Sequence, residues 1–134
     1  MDAFITREAA ADIDALNILG TGPGAWGILV GHKRGRRVFV ERLFPAGAGA
    51  LPPPPERLDE LDRRLAGRIV GLFAVRPGTA WKKALLEPHF YGRLFLDLRL
   101  AKKGPGARPY VVEFDRRFFL SPVPLGSGPK GGTP

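Results

Sequence analysis

The stretch that most constrains this chain is Ile69-Val70-Gly71-Leu72-Phe73-Ala74-Val75, which contains no polar side chain. It is too short for an ordinary helix, and its β-branched and aromatic residues suit an extended strand. Because it is apolar on both faces it has to be covered on both, so it belongs in the middle of a sheet with other elements packed above and below. Later strands supply the neighbours. Leu94, Leu96, Leu98 and Leu100 alternate with Arg93, Asp97 and Arg99, and Tyr110, Val112 and Phe114 alternate with Glu113 and Asp115. Both segments are expected to be half-buried strands with their charges on a polar face, joined by the loop KKGPGARP.

The covering elements are written ahead of the central strand. Ala9, Ile13, Leu16 and Leu19 recur at steps of four and three, with Thr6 placed to cap the start and Gly20 just past the end, so residues 7–19 predict an amphipathic helix. GTGPG, residues 20–24, exits that helix. Trp26 to Gly31 then reads as a buried strand, His32 to Arg36 as a turn, and Arg37 to Phe44 as the returning strand of a hairpin, with Trp26, Phe39 and Phe44 filling the core. Pro45 to Pro55, with AGAGA and four consecutive prolines, predicts an extended loop. Glu56 to Leu65 places Leu58, Leu61 and Leu65 on one face, acidic residues in the first turn and Arg63 and Arg64 in the last, which predicts a second helix. Thr79 to Pro88 predicts a short helical or irregular connection.

These elements define an α/β (α+β) fold, a central mixed sheet flanked by the amino-terminal helix and the second helix. With 134 residues and 44% hydrophobic content there is material for one core, expected to occupy residues 1–120 as a single domain. Ser121 to Pro134, rich in Pro, Gly and Ser, is expected to be a tail, mobile beyond Leu125. The amino terminus lacks a basic segment followed by an apolar one, and no apolar run is long enough to span a bilayer, so the expectation is a soluble cytoplasmic protein that does not contact membrane.

Several chemistries are absent at the level of composition. There is no Cys, which removes disulfides, thiolate nucleophiles and thiolate zinc sites. The only serines, Ser121 and Ser127, lie at or beyond the expected end of the core, and GTGPG lacks the pattern of a phosphate-binding loop. The carboxylate pairs Asp12 and Asp14, Asp59 and Glu60, and Glu113 and Asp115 fall on polar faces or element edges, where solvated charge is the ordinary state. His32 and His89 are the only histidines, one in a turn and one in a Pro-His-Phe-Tyr stretch. Net charge is +8, yet of 21 Lys and Arg only Lys33, Arg34, Arg36, Arg37 and Arg42 cluster closely.

The order of helix, hairpin, helix, central strand, irregular connection and two further strands resembles the JAB/MPN domain, the cytidine-deaminase-like architecture of the JAMM metalloproteases. Gly27-Ile28-Leu29-Val30-Gly31 matches the end of that family's Glu-x-x-Gly-Leu-Leu-x-Gly strand. Ile69 to Pro77 matches the strand that ends there in His-x-His-Pro. The resemblance covers residues 4–120. It implies a zinc site built from two histidines and an aspartate, with a glutamate as general base toward the metal-bound water. Carried onto this chain, the glutamate falls on Gly24, the histidines on Ala74 and Arg76, the motif serine on Ala84 and the aspartate on Glu87.

Only Glu87 carries a ligand atom suited to zinc, and one carboxylate does not make a catalytic site. The resemblance therefore implies a member without metal, cofactor or catalytic residues, in which Arg76 and Glu87 pair across the vacated site. Its expected role is protein–protein interaction or scaffolding, as a homodimer or as a non-catalytic subunit, with Arg76, Trp81, Lys82 and Lys83 as the interaction surface. The alternatives are a nucleic-acid-binding module using the basic hairpin from Lys33 to Arg42, and an enzyme with an unrecognised centre near Arg76, Lys82, Lys83 and Glu87.

Overall fold

The computed structural model describes residues 1–101 and 104–127. In chain order the elements are β1 (Asp2–Ile5), α1 (Arg7–Ile18), β2 (Ala25–Arg34), β3 (Arg37–Ala48), α2 (Pro55–Arg64), β4 (Ile69–Val75), α3 (Thr79–Lys83), a single 3-10 turn (Pro88–Phe90), β5 (Leu94–Arg99), β6 (Gly106–Asp115), β7 (Arg117–Pro122) and β8 (Leu125–Ser127). The eight strands form one mixed sheet in the order β7-β6-β5-β4-β2-β3-β1-β8. The apolar run 69–75 is buried at every residue and lies well inside this order, antiparallel to β2 and parallel to β5.

Local signals act where they are written. Thr6 Oγ1 accepts from the Ala9 amide and caps α1, and Gly20 follows the helix with a φ of 66°. Register between β2 and β3 runs to Arg34 opposite Arg37, so the hairpin turn shortens to Gly35 and Arg36. Glycine also admits close backbone approach: a Cβ on Gly71 would sit 2.1 Å from the Leu94 carbonyl oxygen, and one on Gly31, beside a register shift, 1.8 Å from that of Phe39.

The two ends of the strand order are joined by only two residues, Val123 and Pro124, between β7 and β8. A flat sheet of this order would separate its edges by ~34 Å at the usual strand spacing. The link from Pro122 to Leu125 reaches only ~10 Å. The sheet must therefore curl until the end of β7 comes within reach of the start of β8, although the two strands do not pair with each other. Backbone bonds hold the junction, with Val123 N–H donating to the Pro109 carbonyl and Ala3 N–H to that of Pro124.

The sheet divides the interior in two, because successive side chains of each strand point to opposite faces. One cluster joins Ala9, Ile13 and Leu16 of α1 to Ala3, Leu29, Val40, Phe73, Leu96, Leu98 and Val123. The other joins Leu58 of α2 and Trp81 of α3 to Trp26, Ile28, Leu72, Ala74, Phe95 and Val112. Asp12 anchors α1 to β3, accepting from the Leu43 amide and from the Arg42 guanidinium.

Several expectations are corrected. Ser121 to Ser127 is not a tail, since β7 and β8 close the sheet and Val123 is buried; residues 128–134, for which mobility was expected, lie outside the described residues, as do 102 and 103 of the KKGPGARP loop. Gly106 to Pro109 of that loop already belongs to β6, and β3 runs on to Ala48. Leu19 and Phe44 are exposed, the first because α1 stops at Ile18 and the second because it faces outward under the Arg42 guanidinium. β7 pairs with β6 along one side, and among the described residues no strand pairs with its other side.

Candidate functional site

The strand end marked by the family-like motifs is assembled at the junction of β2 and β4. Trp26 pairs with Ala74 in register, and the Gly24 amide donates to the Val75 carbonyl at 2.9 Å, so Gly24 stands beside residues 74–76. Gly24 has a φ of 84° and its carbonyl accepts from Gly49, which holds the backbone there without a side chain. Ala74 is fully buried in the cluster shared with Trp26, Trp81 and Phe95. Ala84 caps the end of α3 and Glu87 precedes the 3-10 turn.

Arg76 and Glu87 do not pair. Arg76 has a φ of 45°, in the left-handed region, which takes it out of the strand's alternation. Its guanidinium donates to the Leu100 carbonyl, and it lines a cleft of about 420 Å³ with Asn17, Thr21 and Pro23 at the end of α1. Among the described residues no ion pair involves Glu87, and no group of three or more His, Cys, Asp or Glu could hold a metal. Gly24, Ala74 and Ala84 offer no side-chain donor, so these positions do not fit zinc.

The charge at this strand end comes from a residue that the alternating pattern assigned to a polar face. Asp97 pairs in register with Ala74 and is 1% exposed, the one buried charged residue among those described. Lys82 of α3 reaches down to it, Nζ to Oδ2 at 2.9 Å, and Arg99 approaches from the same strand, Nη2 donating to Oδ2 at 3.2 Å. Arg99 Nε lies 3.1 Å from Oδ1 without the alignment of a hydrogen bond, which leaves that oxygen without a hydrogen-bond donor. Both cations keep part of their surface in water, and the Lys82 ammonium also lies 6.0 Å from the Tyr110 ring centroid. A carboxylate buried this deeply requires matched charge, and α3 supplies it.

Placement of α3 decides the remaining residues of the expected surface. Trp81 is buried and stacks on Phe95 with ring centroids 5.5 Å apart, so it belongs to the core and not to a contact face. Lys82 is committed to Asp97. Lys83 is exposed, and with Thr79, Lys82 and Leu86 it forms one wall of a cleft of about 530 Å³ whose other wall is Arg117 to Leu120 of β7. Beyond Phe118 lies a smaller cleft lined by Pro88, Tyr91 and Phe114.

The basic hairpin is separate from this region. Lys33, Arg34, Arg36 and Arg37 are exposed at its tip. Arg42 is not free, since Asp12 holds it by two hydrogen bonds and raises its pKa, chiefly through hydrogen bonding and then through charge. His32 stacks on Phe39, and both His32 and Arg68 approach the Glu41 carboxylate. His89 sits edge-on to Phe90 and 4.0 Å from Asp59.

The chain is thus an α+β protein built on a mixed eight-stranded sheet with three helices. No family model and no curated protein matches its sequence. Among solved structures, the solution structure of protein DSY2949 from Desulfitobacterium hafniense is similar with a TM-score of 0.64, over 93% of this chain and 93% of that one, at 18% identity. At that identity the likeness is one of fold. No helix among the described residues is long and apolar enough to cross a membrane.

Proposed function

We propose that this chain is a metal-free JAB/MPN-like domain that acts by binding another protein and not by hydrolysis. One observation carries the reading. Beside Ala74, where the resemblance expects a metal-binding histidine, the carboxylate of Asp97 has its charge matched by Lys82 and Arg99. This supports a reading in which a cation supplied by the chain takes the part that zinc plays in the resembling enzymes. The motif glycines keep a structural reason to be present, because Gly27, Gly31 and Gly71 all meet neighbouring strands too closely for a side chain.

Metal analysis and a cleavage assay test the proposal together. Purified protein is expected to hold far less than one zinc per chain and to leave isopeptide-linked ubiquitin-like conjugates uncut. One tightly held equivalent of zinc overturns it.

A second reading draws on the hairpin tip, where four exposed cations stand without an acidic partner among the described residues. If it binds nucleic acid, affinity falls steeply between low and moderate salt and drops on replacing Arg34, Arg36 and Arg37. Negligible binding at low salt removes this reading.

A further inference from the structure

The free side of β7 carries three features that converge. First, β7 exposes a row of backbone N–H and C=O groups, since β6 occupies its other side and no described strand lies beyond. An uncovered edge is a template for a further strand. Second, the cleft of about 530 Å³ against α3 is lined by the consecutive residues Arg117, Phe118, Phe119 and Leu120, so it runs along the strand and not across it. Third, the rim is basic. Lys83 on α3 and Arg116 and Arg117 at the β6–β7 reversal are exposed, and among the described residues none of them is in an ion pair. Asp115 lies opposite Arg117 in register and Glu113 opposite Phe119, so the acidic groups sit on β6, on the side of β7 away from its open edge.

We propose that this groove binds an extended acidic segment of a partner protein, which adds as a strand to β7. Backbone bonds to the open edge supply affinity independent of side chains. The segment's apolar side chains lie on the face of Phe118 and Leu120, and the carboxylates that alternate with them lie on the opposite face with Arg117, with Lys83 adding positive charge at the rim of the groove. Lys82 is not available, because Asp97 holds it. A second copy of this chain fits less well: edge-to-edge pairing of two β7 strands joins two basic rims with no acidic groove to match them, on molecules that each carry +8. The proposal rests on the reading of the domain as a protein-binding module and names its contact.

The test uses the whole protein and a short fluorescent peptide of alternating glutamate and valine, followed by fluorescence anisotropy. The acidic peptide is expected to bind and its lysine counterpart not to. N-methylating every second amide of the peptide should weaken binding roughly tenfold or more in one of the two possible phases and leave it nearly unchanged in the other, because only one set of amides faces the edge. Lys83→Glu combined with Arg117→Glu should weaken it roughly tenfold without altering the melting temperature. Equal binding of acidic and basic peptides, or equal effects of the two methylation phases, overturns the proposal. So does a dimer in solution that Phe119→Lys dissociates while no peptide binds, which would assign the edge to a second copy. Zinc content of the same preparation separates the two readings. Zinc-free protein that ignores the peptide removes the groove and leaves the metal-free reading standing, whereas zinc-loaded protein removes the latter whatever the peptide does.

Discussion

Replacing Lys82 with methionine keeps an unbranched apolar stem of similar length but strips the charge from beside Asp97. At 2.9 Å and an effective dielectric near 20 the attraction lost is about 6 kcal/mol. Most of that is offset in the intact protein by the cost of taking both groups out of water. Arg99 keeps partial hold of the carboxylate, and the Lys82 side chain, 30% exposed, was never fully dehydrated. The expected net loss is about 2 to 3 kcal/mol, a fall in melting temperature of roughly 6 to 12 °C for a domain of this size. Asp97→Asn should cost less, about 1 to 2 kcal/mol, because the freed Lys82 ammonium can turn to solvent. The double variant Lys82→Met, Asp97→Leu should recover to within about 1 kcal/mol of the parent, since an apolar pair suits the surrounding cluster of Ala74, Phe95 and Trp81. Urea unfolding of the parent, Lys82→Met, a single Asp97→Leu variant and the double variant closes the cycle. If Lys82→Met costs less than about 0.5 kcal/mol, or the double variant loses the sum of the two singles, the pair is not what holds α3 to the sheet.

Two further perturbations test the fold. Gly71→Ala puts a methyl group 2.1 Å from the Leu94 carbonyl oxygen between two central strands, and should cost at least about 3 kcal/mol in thermal unfolding; a loss below about 1 kcal/mol shows that β4 and β5 can separate without penalty. A chain ending at Leu120 loses Val123 and β8, and is expected to retain far-UV dichroism while losing its cooperative transition and binding hydrophobic dye; a sharp transition within a few degrees of the full chain refutes the closing role of that segment.

What could be read from the sequence was what local pattern encodes. The cap at Thr6, the glycine past α1, the doubly apolar run 69–75 and the amphipathic stripe of α2 each act within a few residues, and each is where it was expected. β1, β7 and β8 escaped because their identity as strands depends on partners far along the chain. DAFI has only four residues, and VPLGS has the composition of a tail until Val123 is seen packed between β6 and β1. Asp97 escaped for a different reason. An alternating strand presents its polar residue in the same way whether that face meets water or a helix, and what buries Asp97 is α3, which carries the compensating Lys82 on a short segment with little signal of its own. The Trp81 indole was balanced between core and surface, and stacking on Phe95 decides for the core. Left-handed backbone at Arg76 has no residue-type signature at all, and it is what carries that guanidinium to Leu100 and away from Glu87.

The junction at Val123 and Pro124 also sets an order of events during synthesis. Ala3 pairs with Leu125, and the parallel contact of β1 with β8 joins opposite ends of the described chain. Loop closure over such a separation is slow, and none of it can begin until the last strand has left the ribosome. Until then β1 has β3 on one side and an open edge on the other, and the cluster around α1 stays unsealed. The nascent chain therefore cannot complete this sheet before β8 has been made, and the interval in which it needs shielding from other chains extends at least to that point.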